Sequence, residues 1–183
     1  QEAQKQMALL NALPAHIAVL DADGWIVAVN EAWRRFADEN GLRDTCYSVG
    51  LSYLDVLGPP LCGHVSETSA VAAGLRAVLA GESSSFSIEY KCDSPTEQRW
   101  FLLMVTPLAT DRLAGAVVMH INISARVRAE QALRDSKAML DIAGRSAKVG
   151  GWILDLTQNR LHWSDMVASM HDQPAGYSPT PEL

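Results

Sequence analysis

Three cysteines and five histidines are the side chains of this 183-residue sequence that could serve covalent, redox or metal chemistry. Cys92 lies in the stretch EYKCDSPTEQRWF and could be a nucleophile, a metal ligand or a redox group. An activated thiolate needs a basic neighbour or a helix N-terminus. The near neighbours are acidic or neutral apart from Lys91, which strand alternation places on the opposite face. Because Asp93, Ser94 and Pro95 favour turns, we interpret the stretch as a hairpin turn that contains a thiol.

Cys62 and His64 lie two positions apart and could suggest a pair of metal ligands. Two ligands in one loop do not make a structural zinc site, which needs four, so we predict no metal site. Three cysteines at wide spacing also fit no disulfide framework. This cysteine usage predicts a reducing, cytoplasmic setting.

His120 is the histidine with the most informative position. In the run GAVVMHINIS, strand alternation places Ala116, Val118, His120 and Asn122 on one face. A histidine with a near-neutral pKa in an apolar cavity could orient a carboxylate or sense pH. The alternative is a core histidine whose ring is hydrogen-bonded to the backbone, and the sequence leaves both interpretations open.

The composition is that of an ordinary globular protein, with 48% hydrophobic and 20% charged residues. A net charge of -6 and the lack of any Lys/Arg-rich run argue against a nucleic-acid partner. The apolar stretches are shorter than the roughly twenty residues that a membrane span needs, and the first residues do not resemble a signal peptide. We find no paired carboxylates, nucleophile–base signature or phosphate loop, and therefore do not expect an enzyme.

The predicted elements follow the order helix, two strands, several short helices, three strands. Residues 2–13 have the spacing of an amphipathic helix, and Asp23 with Gly24 is a strong turn signal between the first two strands. Asn30 is expected to cap the next helix. The runs SFSIEYKC, QRWFLLMVTPL and LAGAVVMHINIS read as strands. This order predicts an α+β domain with a five-stranded antiparallel sheet and helices on one face.

In that order, residues 9–133 resemble a PAS domain, a small cytoplasmic sensor module. The stretches that carry the resemblance are VLDADGWIVAVNEAW, GLSYLDVL, GLRAVLAGE, EYKCDSPTEQRWFLLMVTPL and GAVVMHINISARVRAEQAL. The cysteine-containing hairpin is similar to that of a PAS subgroup in bacterial multidomain signalling proteins. The family's closing Asp-Ile-Thr motif stands here as Asn122, Ile123 and Ser124. An amide in place of the carboxylate removes any ion pair to Arg126, whereas a hydrogen-bonded junction could remain, and the resemblance assigns signal relay to Asn122, Ser124 and Arg126.

The resemblance implies a pocket between the sheet and the middle helices, where family members bind haem, flavin or small metabolites. The candidate lining residues are Tyr53, Leu57, Leu75, Val78, Phe86, Ile88, Tyr90, Val118 and His120. The cofactor stays unknown: none, or a small metabolite, with haem and flavin less favoured. Tyr53 stands where flavin-binding LOV members carry their reactive cysteine, and the helix that often supplies a haem ligand has no histidine. His64 could supply one in a different geometry.

The tail GGWILDLTQNRLHWSDMVASMHDQPAGYSPTPEL resembles the front part of a second PAS domain. An incomplete sheet leaves its inner face unburied and should be unstable alone. We therefore expect the tail to pack on the first domain or on a partner chain.

The segment between the two resemblances reads as a helix with a four-three apolar spacing, which is typical of a coiled-coil seam. One interpretation is a helix that lies on its own domain, and the favoured one is a parallel homodimer. The predicted seam consists of Ala129, Leu133, Ser136, Leu140 and Ala143.

Together these observations predict a regulatory PAS module that binds a small ligand or a partner and relays its state through a dimeric helical linker. The resemblance implies a downstream output domain, either the histidine kinase of a two-component system or a cyclic-di-GMP enzyme. The alternatives are a ligand-free dimerisation and spacer module, a haem-binding gas or redox sensor, and an enzyme that uses Cys92 or Cys62. The predicted segments are an N-terminal helix at 1–13, the PAS domain at 14–124, the helical linker at 125–148 and the partial second PAS domain at 149–183.

Overall fold

The computed structural model describes residues 2–41, 46–56, 65–93, 97–108 and 114–179. The chain divides into two compact units, Gln1–Val127 and Arg128–Leu183. The first unit contains α1 (Glu2–Ala12), β1 (His16–Leu20), β2 (Ile26–Val29), α2 (Glu31–Glu39), α3 (Tyr53–Val56), α4 (Val65–Leu79), β3 (Phe86–Lys91), β4 (Trp100–Pro107) and β5 (Ala116–Asn122).

The five strands form one antiparallel sheet in the order β2-β1-β5-β4-β3. This confirms the predicted α+β fold and its five-stranded antiparallel sheet. The pairing of β1 with β5 joins residues about 100 positions apart, such as Ala18 and Val118. The sheet is therefore closed by a contact of long range, and β5 becomes its central strand.

The core lies on one face of this sheet, because alternate residues of each strand point toward the helices. Burial of each large aliphatic side chain there stabilises the fold by roughly 1.5–3 kcal/mol. The buried residues of this core are Ala18, Leu20, Ile26, Val29, Trp33, Tyr53, Val71, Leu75, Val78, Leu103, Val105, Ala116 and Val118.

Asn30 ties the N-terminal helix to the sheet. Its buried amide group donates hydrogen bonds to the carbonyl oxygens of Leu10 (3.0 Å) and Ala15 (2.8 Å). Its Oδ1 accepts from the backbone N–H groups of Ile17 and Trp33, both at 3.0 Å. The predicted helix cap is present, and the same side chain also satisfies three backbone groups outside α2.

The second unit contains a hairpin and a short helix. The long helix α5 runs from Ser124 to Ala147 and crosses the boundary between the two units. None of the described helices is both long and apolar enough to cross a membrane. The later elements are β6 (Trp152–Asp155), β7 (Arg160–Trp163) and α6 (Asp165–Met170), with β6 and β7 antiparallel.

Gly74 of α4 sets how closely this helix approaches the sheet. A Cβ at Gly74 would lie 2.3 Å from ring carbons of Phe86 in β3, so Gly74→Ala forces the ring to move. Overpacking of this kind costs about 1–3 kcal/mol, whereas alanine at an unhindered helix position would stabilise by up to about 1 kcal/mol. We predict a lower free energy of unfolding for Gly74→Ala in urea titration. The control is Gly151→Ala, where no atom lies within 4 Å, and stabilisation by Gly74→Ala would contradict the prediction.

Candidate functional site: a histidine between two tyrosines

His120 lies in the central strand β5, where its Cα is paired with those of His16 in β1 and Leu103 in β4. Its imidazole is held at both nitrogens. The hydroxyl of Tyr53, from α3, lies 2.9 Å from Nε2, and the hydroxyl of Tyr90, from β3, lies 2.5 Å from Nδ1. Three separate elements therefore meet at one ring.

The hydrogen-bond chemistry of this group fixes complementary roles for the two tyrosines. A neutral imidazole has one N–H donor and one bare nitrogen acceptor. One tyrosine must therefore donate its hydroxyl proton to the bare nitrogen, while the other accepts the ring N–H. The arrangement orders the ring of His120 without requiring a charge.

Aromatic rings enclose this hydrogen-bonded group. The ring of Trp33 stands edge-on to His120 at a centroid distance of 5.6 Å. Phe101 stacks on Tyr90 at 5.8 Å. Aromatic faces around a polar group reduce its access to water, so the site is an apolar enclosure with the imidazole of His120 in its wall.

The enclosure keeps His120 neutral. Burial, and secondly the neighbouring His16, lower the pKa of His120 from 6.5 to about 3. Burial also raises the pKa of Tyr53 well above 10, and Tyr90 adds to that shift. A histidine with this pKa does not titrate near pH 7, which argues against the pH-sensing interpretation of His120.

His16 forms the neighbouring part of the same wall. Its ring packs on Phe36 at a centroid distance of 4.4 Å. Burial, followed by the positive charges of Arg99 and Arg35, lowers the pKa of His16 to about 4. Two adjacent imidazoles are therefore both kept neutral by the fold.

The predicted pocket residues come together, with one outside the described part of the chain. Tyr53, Leu75, Val78 and Val118 are buried in the core, and Phe86, Ile88 and Tyr90 pack against it. Leu57 lies outside the described residues. Of the two interpretations of His120, the core histidine hydrogen-bonded to the backbone named the wrong partner. The ring nitrogens of His120 bond to tyrosine hydroxyls instead. That a ligand enters this cluster stays a prediction.

The junction between β5 and α5 is closed by hydrogen bonds. The Oδ1 of Asn122 accepts from the backbone N–H of Ser124 at 3.0 Å and from its hydroxyl at 2.6 Å. The Ser124 oxygen accepts from the N–H of Trp100 at 2.9 Å. An amide at position 122 is thus sufficient for a hydrogen-bonded junction.

Arg126 finds its carboxylate on a different strand. Its guanidinium pairs with Glu89 of β3 at 2.5 Å. Both side chains are 47% exposed, so the pair adds little stability. The pair nevertheless joins the first turn of α5 to the strand that carries Tyr90.

The structure contradicts the expectation from the sequence that Cys92 is a hairpin thiol in a chain without disulfides. Its backbone N–H donates to Arg99 at the base of the hairpin, but its side chain is buried and disulfide-bonded, whereas Cys46 is an exposed thiol. A disulfide has no thiolate, so Cys92 in this form is not a nucleophile. Cys62 and His64 lie outside the described residues. Within the described ranges, no group of three His, Cys, Asp or Glu side chains could hold a metal ion.

Sequence reasoning missed four of these interactions: the hydrogen bonds of two tyrosines to His120, the pairing of Arg126 with Glu89, the hydrogen bonds of Asn30 to groups outside α2, and the disulfide of Cys92. Strand alternation already placed Glu89 on the face opposite to Tyr90. The register that brings these side chains together depends on contacts between distant segments, which a local pattern does not contain.

The comparison with family sequences gives a clear assignment. The sequence model described as PAS fold matches residues 10–128. The chain therefore belongs to the PAS fold family. PAS domains are generally sensory, non-catalytic modules, and the five-stranded sheet with its covering helices agrees with that class.

A protein of Rhodobacter capsulatus, described as an uncharacterized 104.1 kDa protein in the hypE 3' region, is 40% identical over 126 residues. The match covers 66% of this chain and only 13% of that protein.

Two solved structures show the likeness in fold. The PAS domain of Bordetella pertussis BvgS is 19% identical with a TM-score of 0.51, over 75% of this chain and 98% of that one. An RNA-binding Light-Oxygen-Voltage receptor is 14% identical with a TM-score of 0.53, over 77% of this chain and 38% of that one. At these identities the likeness concerns the fold alone.

The depressed pKa of His120 makes the first unit sensitive to acid. Because the folded-state pKa lies below the unfolded value of 6.5, the unfolded state binds more protons between pH 6.5 and about 3, and stability falls as the pH drops through that window. At most about 1.4 kcal/mol is lost per pH unit per histidine, or about 2 kcal/mol between pH 6.5 and 5. We predict that His120→Gln reduces the loss of unfolding free energy between pH 7 and pH 5 by up to this amount, as measured by urea titration.

The control for this experiment is His162→Gln, which changes an exposed histidine of the second unit. It should leave the acid sensitivity of the first unit unchanged. The comparison uses differences between two pH values, so a uniform loss of stability in either variant does not affect it. Full acid sensitivity in His120→Gln would contradict the assignment.

Proposed function

We propose that this chain is a sensory module in which the state of the core around His120 is passed to α5. The observation that carries the proposal is that the two strands with groups of the His120 site also carry groups that contact α5. On β3, Tyr90 directly follows Glu89, the partner of Arg126. On β5, His120 lies two residues before Asn122. A shift of the hydrogen bonds to His120 would move both strands. Both strands hold the first turn of α5 through side chains.

The ligand that we favour is a small metabolite. An enclosed imidazole with two hydroxyls offers both donors and acceptors to a small polar group, and the surrounding apolar side chains suit an organic body. Haem is less favoured, because both nitrogens of His120 are already hydrogen-bonded and axial ligation would break one of these bonds. A bound ligand shifts the module only if its affinity differs between two states.

A ligand-free spacer is the second candidate. The observation in its favour is that, within the described ranges, no buried side-chain nitrogen or oxygen lacks a hydrogen-bond partner. A core with satisfied polar groups is stable without a ligand. The two candidates differ in whether any small molecule stabilises the fold.

The relay requires a partner for α5, and we propose a parallel homodimer. Two residues of the predicted seam, Leu133 and Leu140, are 72% and 69% exposed in the single chain. Large apolar side chains at coiled-coil spacing are typical of a surface that another helix covers. The output domain would be a histidine kinase or a cyclic-di-GMP enzyme, and the chain itself would have no catalytic role.

The proposals on nucleic-acid partners and on cellular location rest on the net charge and on the family resemblance. We propose no nucleic-acid partner, because the net charge is -6. We propose a cytoplasmic location from the family resemblance. The disulfide of Cys92 is the observation against it, because disulfides persist mainly in oxidising compartments.

The seam makes a specific prediction about assembly. Leu133→Glu places a charge in the proposed helix–helix contact, so we expect the dimer dissociation constant to rise at least about tenfold, equivalent to about 1.4 kcal/mol. The measurement is sedimentation equilibrium. The matched control is Ile142→Glu, an equally apolar residue that is 63% exposed but lies off the seam. Equal effects of both variants, or a wild-type monomer, would contradict the proposed dimer.

The relay predicts that a change at His120 is felt at the start of α5. The N–H of Val127 donates to the carbonyl of Ile123 in the first turn of this helix. We predict that His120→Gln speeds hydrogen exchange of the Val127 amide by about tenfold relative to the Ala18 amide in β1. The control is Met119→Leu, a volume-conserving change one position away on the opposite face. Unchanged exchange at Val127 in His120→Gln would argue against coupling, whether or not a ligand is found.

A further inference from the structure

The second unit repeats the opening elements of the first. In the first unit the Asn30 N–H donates to Ile17 O, and the Ile17 N–H donates to Asn30 Oδ1, both at 3.0 Å. In the second unit the Ser164 N–H donates to Gly151 O at 2.9 Å, and the Gly151 N–H donates to Ser164 Oγ at 3.1 Å. Both residues of the second pair follow their counterparts by 134 positions. The same reciprocal bonds therefore close both hairpins.

The correspondence continues on either side without insertion or deletion in the sequence, although β1 has a register shift between Val19 and Leu20 that the pairing of β6 with β7 does not show. Asn30 and Ser164 each cap the helix that follows, accepting from the backbone N–H three residues later. Asp21 and Asp155 each accept from backbone N–H groups of the turn after the first strand. β6, β7 and α6 are thus the structural equivalents of β1, β2 and α2.

The two repeats differ at the second edge of the first strand. In the first unit β1 is paired on both sides, with β2 and with β5. Among the described residues β6 is paired only with β7. Antiparallel strands bond through alternate residues, and Gly151 bonds toward β7, so Trp152 and Leu154 present their backbone groups to the open edge. In β1 the corresponding positions are Ala18 and Leu20, which pair with Val118 and Ala116 of β5.

The face beside this open edge is an apolar groove of about 400 Å³. Trp152 is 64% exposed, although its counterpart Ala18 is fully buried. Aromatic surface of this size rarely stays in contact with water in a folded domain. The lining residues are Trp152, Leu154, Leu161, Trp163, Val167 and His171.

We propose that the open edge and groove of the second unit bind a β-strand of this same chain that follows residue 183. The strand would lie antiparallel to β6 as β5 lies against β1, and would come about 100 residues after Trp152, which is the separation of Ala18 and Val118. A continuing chain is consistent with the 104.1 kDa relative, of which the matched region is only 13%. A large Trp152 in place of Ala18 requires small side chains on the part of that strand which faces it.

From the sequence alone we expected the tail to pack on the first domain or on a partner chain. The proposed occupant is instead a later strand of the same chain. The internal repeat favours the same chain, because the first unit fills the equivalent edge from its own later sequence. A two-stranded hairpin is marginally stable alone, so the added strand would supply most of the stability of the second unit. The inference depends on the repeat and is independent of ligand binding or dimerisation.

Amide hydrogen exchange on two lengths of chain tests this proposal. One is the 183-residue chain, and the other is the product of the native gene with at least about 100 further residues. We expect the amides of Trp152 and Leu154 to exchange almost freely in the short chain and to slow by at least about 100-fold in the long one. The amide of Ala18, whose partner β5 is present in both chains, should be protected in both.

Two further results would overturn the proposal: no slowing in the long chain, or slowing that depends on protein concentration and so indicates a second copy. A long chain with Trp152→Glu should lose the protection of Leu154, while Leu156→Glu should keep it, since Leu156 is 83% exposed in the turn and does not line the groove. The Ile153 amide, which faces β7, reports whether the hairpin itself still folds. Loss of protection at Leu154 in both variants would also count against the proposed groove contact.

Discussion

The pairing of β1 with β5 is the interaction on which the structure of the first unit depends. It joins strands about 100 residues apart, so its formation requires the closure of a long loop. Once formed, it makes β5 the central strand, sets His16 beside His120 and leaves one face of the sheet for the helices to cover. Among the described residues of the second unit, the equivalent hairpin pairs with no further strand, and its apolar face forms a groove exposed to solvent.

The group around His120 is a consequence of that closure. The sheet brings Tyr90 to one ring nitrogen and α3 brings Tyr53 to the other, so that the imidazole is satisfied while neutral. Burial then lowers the pKa of His120 to about 3, which removes charge from the core at physiological pH. The polar group is therefore suited to orientation and hydrogen bonding. Its position two residues before Asn122 places it close to the segment of chain that runs from β5 into α5.

The fold was predictable because its signals are local. Short β-rich runs, alternation in SFSIEYKC and a continuously apolar run in QRWFLLMVTPL indicated strands, and the Asp23–Gly24 turn and the Asn30 cap indicated the first hairpin and helix, all with the correct type. Most of the candidate site was also reachable, since alternation placed Tyr90 and His120 on the inner face. The bonds themselves were not, because the tyrosine partners of His120 and the glutamate partner of Arg126 lie in segments that only the folded sheet brings together. Cysteine spacing in particular does not specify which thiols meet.

The central claim is that this PAS domain is a sensor that acts as a dimer. Its most direct test is the native mass spectrum of protein purified from cells, recorded with its visible absorption. The account predicts a colourless dimer whose mass exceeds that of two bare chains by a small molecule, which unfolding releases. A monomer at the bare sequence mass, with no metabolite able to raise its melting temperature, would contradict both parts of the claim.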